Sequence, residues 1–191
     1  MSVSSGVWTN SELGGIGVEL WQNSSYFGEF IHGKKQGIGR YIWKNKARYD
    51  GEWKNDKMNG YGIYYFSDGR QYLGEWENNY MEGFGIYLWN NKKKYYGFFK
   101  KGVKHGFGIF YLLNDKFIIG FWKDGKQNGF VKHINGDATM YGIFKNGKKE
   151  KSFETEDEFW NNFIDKNSLK YKTFFEMDKI SIYSYINSIE E

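Results

Sequence analysis

A repeat of 22 or 23 residues runs through most of this sequence and limits the folds available to it. In the first five units, a second pair of glycines follows nine and eleven residues after the glycine that opens the unit. A fixed period of this length is typical of stacked repeats, and here it predicts six units and a final half unit. The opening glycines, each followed two residues later by Trp or Phe, are Gly6, Gly28, Gly51, Gly74, Gly97, Gly120 and Gly142.

Each unit has the residue pattern of a β-hairpin. In the third unit, side chains alternate over Tyr49–Trp53 and again over Gly60–Phe66, with six residues between the two stretches. Asp68-Gly69 then provides a tight turn of the kind that joins antiparallel strands. If the six residues form one turn, Trp53 faces Gly60, and large rings lie beside glycines on one side of the sheet.

The composition excludes several other classes of protein. The absence of cysteine rules out disulfide scaffolds, thiol nucleophiles and metal sites built from cysteine. Aromatic residues make up 21% of the chain, whereas disordered chains are poor in them. The sequence has neither an apolar run long enough to span a bilayer nor a stretch that resembles a secretion signal, so we expect a cytoplasmic protein.

No residue pattern predicts catalysis. The three histidines, His32, His105 and His133, do not have the spacing of metal ligands. The Gly-x-Gly elements precede strands rather than helices, and no phosphate-loop motif is present. We therefore expect a protein that is not an enzyme and that needs no metal or cofactor.

The units resemble MORN repeats, which begin close to Tyr-x-Gly-x-Trp and continue, after a variable turn, with a Gly-x-Gly element and a tyrosine. The resemblance covers about residues 3–151 and implies a mainly β fold, an elongated, curved, single-layer antiparallel sheet of stacked hairpins. The units that match best contain Tyr49, Gly51, Trp53, Gly60, Gly62 and Tyr64, and Tyr72, Gly74, Trp76, Gly83, Gly85 and Tyr87.

The resemblance also implies that the ring-lined face holds a peptide or helix of a protein partner. The alternative is that most of these rings form the core of the sheet itself. A single-layer sheet cannot cover both of its faces, so some of the aromatic stripe is expected to stay exposed. The groove is predicted to contain Tyr49, Trp53, Tyr64, Tyr72, Trp76, Tyr87, Trp89 and Tyr95.

Lysines gather in the predicted six-residue turns and would line one edge of the sheet. Such an edge could attract anionic phospholipids, a property that the family resemblance also implies. The alternative is that these lysines only keep the turns soluble. Nucleic acid is not expected as a partner, because the basic excess is modest. The predicted lipid-binding edge contains Lys34, Lys35, Lys54, Lys57, Lys100, Lys101, Lys104, Lys123 and Lys126.

The segment 152–191 lacks the glycine pattern and is predicted to be helical. Thr155 and Glu158 form a capping box at the start of a first helix. A second short helix is predicted around Ile182–Ile189, and residues 169–177 are ambiguous. The segment carries a net charge of −5 from nine acids and four lysines, so residues 1–151 carry +9. It is either a cap on the repeats or an arm that binds a partner.

The second face of the sheet changes from polar to apolar along the chain. Early units place Glu29, Asp50, Glu52 and Glu75 there, and later units place Tyr96, Phe98, Ile119, Phe121, Tyr141 and Ile143. We expect the first tail helix to cover this apolar patch with Phe159, Trp160, Phe163 and Ile164. The alternative is a homodimer in which two such patches meet.

Together these features predict a non-catalytic scaffold or adaptor in a cytoskeletal or axonemal assembly, such as that of a cilium. The setting follows from the family resemblance alone. The competing prediction is a peripheral membrane tether that uses the lysine edge.

Overall fold

The computed structural model describes residues 3–9, 11–162 and 169–190. The helices are α1 (Glu156–Asn161), α2 (Lys172–Glu176) and α3 (Lys179–Glu190), and a single 3₁₀ turn, Leu169–Tyr171, precedes α2. The strands are β1 (Val3–Thr9), β2 (Glu12–Trp21), β3 (Ser24–Ile31), β4 (Lys34–Ile42), β5 (Arg48–Lys54), β6 (Lys57–Tyr65), β7 (Gln71–Glu77), β8 (Tyr80–Leu88), β9 (Lys94–Lys100), β10 (Val103–Leu113), β11 (Lys116–Lys123), β12 (Lys126–Asn135), β13 (Ala138–Lys145) and β14 (Lys148–Phe153).

The fourteen strands pair in sequence order in one antiparallel sheet, which confirms the predicted array of hairpins. Beyond the six repeats, the last repeat glycine, Gly142, lies in β13, which pairs with β14 in a seventh hairpin. Strand β14 lacks the repeat glycines, but strand pairing needs only backbone groups and a suitable turn. That turn is Asn146-Gly147, and both of its residues have positive φ.

The six-residue turn predicted in each hairpin is wrong. In the third hairpin, Trp53 pairs with Met58 and Lys54 pairs with Lys57, so that only Asn55 and Asp56 form the turn. Both residues have positive φ, 49° and 65°. These angles define the two-residue turn whose twist matches that of antiparallel strands.

A β-bulge explains why the strands run further than the sequence pattern indicates. Gly51 pairs with Gly62 and Trp53 pairs with Met58, so three residues of β6 lie opposite the single residue Glu52, and the bulge is on β6. The Glu52 carboxylate accepts a hydrogen bond from the amide of Tyr61 at 2.7 Å. Because of the shift, Trp53 faces Met58 on β6 rather than Gly60. On its other side, Trp53 faces Gly37 of the preceding hairpin.

The chain divides into two compact units. The first comprises Met1–Asn91 and Phe99–Val103, and the second comprises Lys92–Phe98 and Lys104–Glu191 with the three helices. Among the described residues, no helix has the length and apolarity needed to cross a bilayer.

Neighbouring hairpins of the first unit are joined at their turns and by their rings. The Asn79 amide donates to the Met58 carbonyl at 3.0 Å, one hairpin earlier. The ring centroids of Tyr49 and Trp76 lie 5.4 Å apart in an edge-to-face arrangement, which aromatic pairs prefer. Each hairpin is therefore held to the next by both backbone and aromatic contacts.

A tyrosine ring covers a glycine in each central hairpin of the first unit. Tyr26, Tyr49 and Tyr72 are completely buried. The Tyr72 ring lies over Gly85 on the neighbouring strand, where a Cβ atom would be 2.5 Å from the ring. The Tyr72 hydroxyl donates to the carbonyl of Glu75, which lies opposite the bulge of β8, at 3.0 Å. Glycine is required here because no side chain fits beneath the ring.

We predict that Gly85→Ala lowers the free energy of unfolding by about 2–3 kcal/mol, because the added methyl group overlaps the Tyr72 ring. Gly33→Ala is the matched control. Gly33 has open space around it but a φ of +69°, so only backbone strain of about 1 kcal/mol is expected. Urea denaturation of both variants measures the difference. Equal losses would show that the ring–glycine contact does not limit stability.

Candidate protein-binding surfaces

Most of the rings predicted to form a groove are buried against one another. In the first unit, Tyr64 and Trp89 are half-buried, whereas Tyr49, Trp53, Tyr72, Trp76 and Tyr87 are buried. Tyr95 belongs to the second unit and is buried there. This arrangement matches the alternative in which the rings form the core of the sheet. A partner can therefore reach only a small part of the aromatic face.

An apolar cleft remains on the aromatic face of the first unit. It has a volume of about 310 Å³. Only Tyr64 and Trp76 of the predicted groove line it, and Tyr80 at its rim is exposed. The complete lining is Met58, Tyr64, Phe66, Trp76, Asn79, Tyr80, Met81 and Gly102.

The two methionines of the cleft were missed by the sequence analysis, although their repeat position carries a signal. Met58 and Met81 are 23 residues apart, and Lys35 and Lys104 stand one period before and after them. Met side chains are flexible and polarisable and adapt to irregular apolar surfaces. The cleft therefore lies where the repeat has methionine instead of lysine.

Lys104 shows what a lysine does at this position. Within the second unit, its ammonium nitrogen lies 4.2 Å from the centroid of the Phe110 ring and 5.4 Å from that of Tyr95. Burial lowers the pKa of Lys104 to about 8, because the surrounding rings replace water around the charge. Such an environment is favourable for the carbon chain of the lysine and unfavourable for its charge.

Two of the nine lysines of the predicted edge are not exposed. Lys104 is half-buried among rings, and Lys35 is half-buried with its ammonium group 3.5 Å from the Asp56 carboxylate. Both side chains turn inward because unbranched carbon chains fill the space between the rings. The exposed lysines of the predicted edge are Lys34, Lys54, Lys57, Lys100 and Lys101 in the first unit and Lys123 and Lys126 in the second.

Helix α1 lies against the sheet of the second unit. Its predicted N-terminus is confirmed, because the Thr155 hydroxyl accepts a hydrogen bond from the Glu158 amide at 3.1 Å. Phe159 is completely buried, with its ring centroid 5.0 Å from that of Tyr141 and 5.3 Å from that of Phe130. The Trp160 ring contacts the rings of Phe159 and Phe175, which belong to the tail itself.

The segment 169–177, which the sequence left ambiguous, provides further contacts with the sheet. Tyr171 stacks on Phe107 with their ring centroids 4.4 Å apart, and its ring edge contacts Phe121 at 5.3 Å. Phe175 is completely buried, 5.7 Å from Phe107. In the sequence, the adjacent apolar residues Phe174 and Phe175 could have indicated that this segment packs against the sheet.

A buried lysine fixes the end of helix α2. Lys132 is buried, and its ammonium group donates to the carbonyls of Phe175 at 2.6 Å and Met177 at 3.1 Å. A cation is favourable at this point because the carbonyls at a helix C-terminus carry partial negative charge. Burial nevertheless lowers the pKa of Lys132 below its usual value. Both carbonyls that accept these hydrogen bonds belong to the tail, so the Lys132 ammonium group has these partners only while the tail is docked.

The predicted docking patch is only partly covered. Phe163 and Ile164, which were expected to cover it, lie outside the described residues. Phe98 stays 40% exposed, so that end of the patch is open. Phe121 and Ile143 are half-buried, and Tyr96, Ile119 and Tyr141 are buried.

Comparison with known families supports the repeat assignment. A family model described as MORN repeat matches six segments, residues 5–25, 26–48, 49–69, 72–94, 95–112 and 119–130. These segments cover more than half of the chain. No curated protein matches the chain.

We predict that Lys104→Met stabilises the protein at pH 7 by about 1–2 kcal/mol, because methionine fills the same space without a charge. The pKa of Lys104 is lower in the folded state, so the wild type gains stability as the pH rises from about 8 to the usual lysine range. The advantage of the variant should therefore shrink between pH 7 and pH 10. Denaturant unfolding at both pH values tests this, and Lys57→Met is the exposed control. An advantage that is independent of pH would contradict the assignment.

We also predict that a chain ending at Glu154 is less stable or aggregates, because removal of the tail exposes Phe107, Ile119 and Tyr141 to water. Unfolding, dye binding and size-exclusion chromatography report the effect. Ile180→Asp is the control, since the Ile180 side chain is 75% exposed on α3. A truncated protein with unchanged stability, dye binding and oligomeric state would rule out a stabilising role for the tail.

Proposed function

Because this chain belongs to the MORN-repeat family, we propose that it is a non-catalytic scaffold or adaptor that binds a peptide or helix of a protein partner on its aromatic face. MORN repeats occur in scaffolds that bind other proteins or membranes, and the module is generally not catalytic. The proposed setting is a cytoskeletal or axonemal assembly, and it rests on the family alone.

The observation that carries this proposal is the apolar cleft of the first unit. Its volume of about 310 Å³ is large enough for one apolar side chain of a partner. Tyr80 is 56% exposed at the rim, and Met58 and Met81 can adjust to the shape of the inserted group. Aromatic residues and methionine are enriched in the centres of protein interfaces. The cleft thus combines an anchor site with an exposed aromatic residue beside it.

A second candidate function is membrane tethering through the exposed lysines near the turns. Five of the predicted edge lysines in the first unit and two in the second are exposed. Each lysine near an anionic membrane surface contributes about 1 kcal/mol of attraction. The lysines also explain solubility, so this function requires a direct test.

We predict that Tyr80→Asp weakens partner binding by about tenfold or more, because it places a charge at the rim of the apolar cleft. The partner is captured from a cytoskeletal extract with the full chain, identified, purified and titrated calorimetrically. Ile180→Asp, which changes an even more exposed side chain elsewhere, should bind like the wild type. Unchanged affinity of a folded Tyr80→Asp variant would exclude the cleft.

Vesicle sedimentation distinguishes the two candidate functions. The scaffold proposal requires weak, similar sedimentation with neutral vesicles and with vesicles containing phosphoinositides. Salt-sensitive binding to the anionic vesicles, which is lost when Lys100 and Lys101 are replaced by glutamine, would instead support the membrane tether.

A further inference from the structure

A row of exposed apolar residues crosses the first unit on the face opposite the buried rings. Ile16, Ile38 and Tyr61 occupy successive repeats and are 62%, 60% and 65% exposed. Large apolar side chains at this level of exposure, repeated in register, are unusual unless they mark an interaction site.

Glutamates alternate with these apolar residues. Ile16 pairs with Glu29, and Ile38 pairs with Glu52. Tyr61 pairs in the same way with Glu75. One carboxylate oxygen of each glutamate accepts a backbone amide across the bulge, at 2.7–2.9 Å. The second carboxylate oxygen and the negative charge are not needed for that contact and remain available to a partner. Apolar and acidic side chains therefore alternate along the row.

The same repeat positions are apolar throughout in the second unit. Phe107 stands two periods after Tyr61, and Phe121 stands two periods after Glu75. These two phenylalanines pair directly, with their ring centroids 5.5 Å apart. Tyr171 lies on both of them, and Phe175 lies within 6.2 Å of both. The fold itself thus shows that these repeat positions accept helical segments with aromatic side chains.

We propose that the row Ile16, Glu29, Ile38, Glu52, Tyr61 and Glu75 is a docking surface for an amphipathic helix of another protein. The helix carries apolar or aromatic residues along one face, with lysine or arginine beside them. This surface is distinct from the aromatic cleft, and its occupation does not depend on the function proposed above.

The spacing of the row defines the pattern of the partner helix. Ile16, Ile38 and Tyr61 lie on every second strand, so they are about 9.6 Å apart across the sheet. Seven residues of an α-helix span about 10.5 Å. A helix that runs across the strands therefore places every seventh residue over an apolar member of the row. Basic residues between those positions meet the glutamates.

The charges of the row argue against the protein's own tail as the occupant. Helix α1 has three acidic residues in its first turn, Glu156, Asp157 and Glu158, which the glutamates of the row would repel. Two copies of the chain meeting through this row would bring their glutamates together, which is unfavourable for the same reason. A basic helix from another protein has the complementary charge.

A designed peptide tests the surface without knowledge of the natural partner. The probe is a fluorescent helical peptide of about three heptads, with phenylalanine at every seventh position, lysine beside it and alanine elsewhere. Its acidic twin replaces each lysine with glutamate. The full chain is titrated with both peptides by fluorescence anisotropy at two salt concentrations, and the perturbed backbone amides are mapped by NMR spectroscopy.

We expect the basic peptide to bind and to perturb amides of β2, β4 and β6, and the acidic twin to bind at least about tenfold more weakly. Ile38→Asp should weaken binding by about tenfold or more. Glu52→Gln keeps the acceptor for the Tyr61 amide but removes the charge, so it should lower the salt dependence of binding. Tyr80→Asp and Ile180→Asp should bind the peptide like the wild type, and circular dichroism verifies that each variant is folded.

Several results would overturn the proposal. Equal binding of the two peptides would show that the glutamates do not select the partner. Perturbations confined to the cleft around Met58, together with a loss of binding in Tyr80→Asp, would assign the peptide to the aromatic face. Absence of binding at millimolar peptide would show that the row is not a docking surface. Self-association of the protein that Ile38→Asp abolishes would show that a second copy of the chain, not another protein, occupies it. Capture of the natural partner by the cleft is measured separately, so failure of this surface leaves the function proposed above untouched.

Discussion

The contact between a tyrosine ring and a glycine on the next strand supports the rest of each hairpin. The ring occupies the place of a side chain, so that Tyr72 lies directly on the backbone at Gly85. Its hydroxyl donates to the carbonyl of Glu75, which lies opposite the bulge, and this bond holds the irregular point of the hairpin. A single-layer sheet has no second sheet to pack against. The rings therefore supply the apolar core that such a sheet otherwise lacks.

This use of the rings limits where the protein can bind other molecules. Side chains that bury one another are not available to a partner, which explains why most of the predicted groove is closed. The accessible places are those where a repeat departs from its neighbours. Methionine replaces lysine at Met58 and Met81, and the cleft opens there. Variation between repeats thus determines where the aromatic face opens to a partner.

The position opposite the bulge shows how one repeat supports two different surfaces. In the first unit, the glutamate at this position satisfies a backbone amide and leaves a charged, partly apolar face. In the second unit, Phe121 takes this position and contacts Tyr171 and Phe175 of the tail. A charged glutamate there would be desolvated beneath the tail, which is unfavourable without a partner. The change from glutamate to phenylalanine therefore accompanies the change from an exposed face to a covered one.

Sequence patterns alone predicted the repeat, the hairpins, their order in the sheet and the start of helix α1. These features follow from local patterns, namely the glycine period, the alternation of side chains and the Thr155–Glu158 pair. The length of the turns depended on contacts between strands, because the bulge opposite Glu52 is held by the hydrogen bond that the Tyr61 amide of β6 donates to the Glu52 carboxylate. The inward position of Lys104 and the contacts of Lys132 with the tail likewise depended on packing between distant segments. Periodicity specifies which residues share a face, but burial depends on what lies against that face.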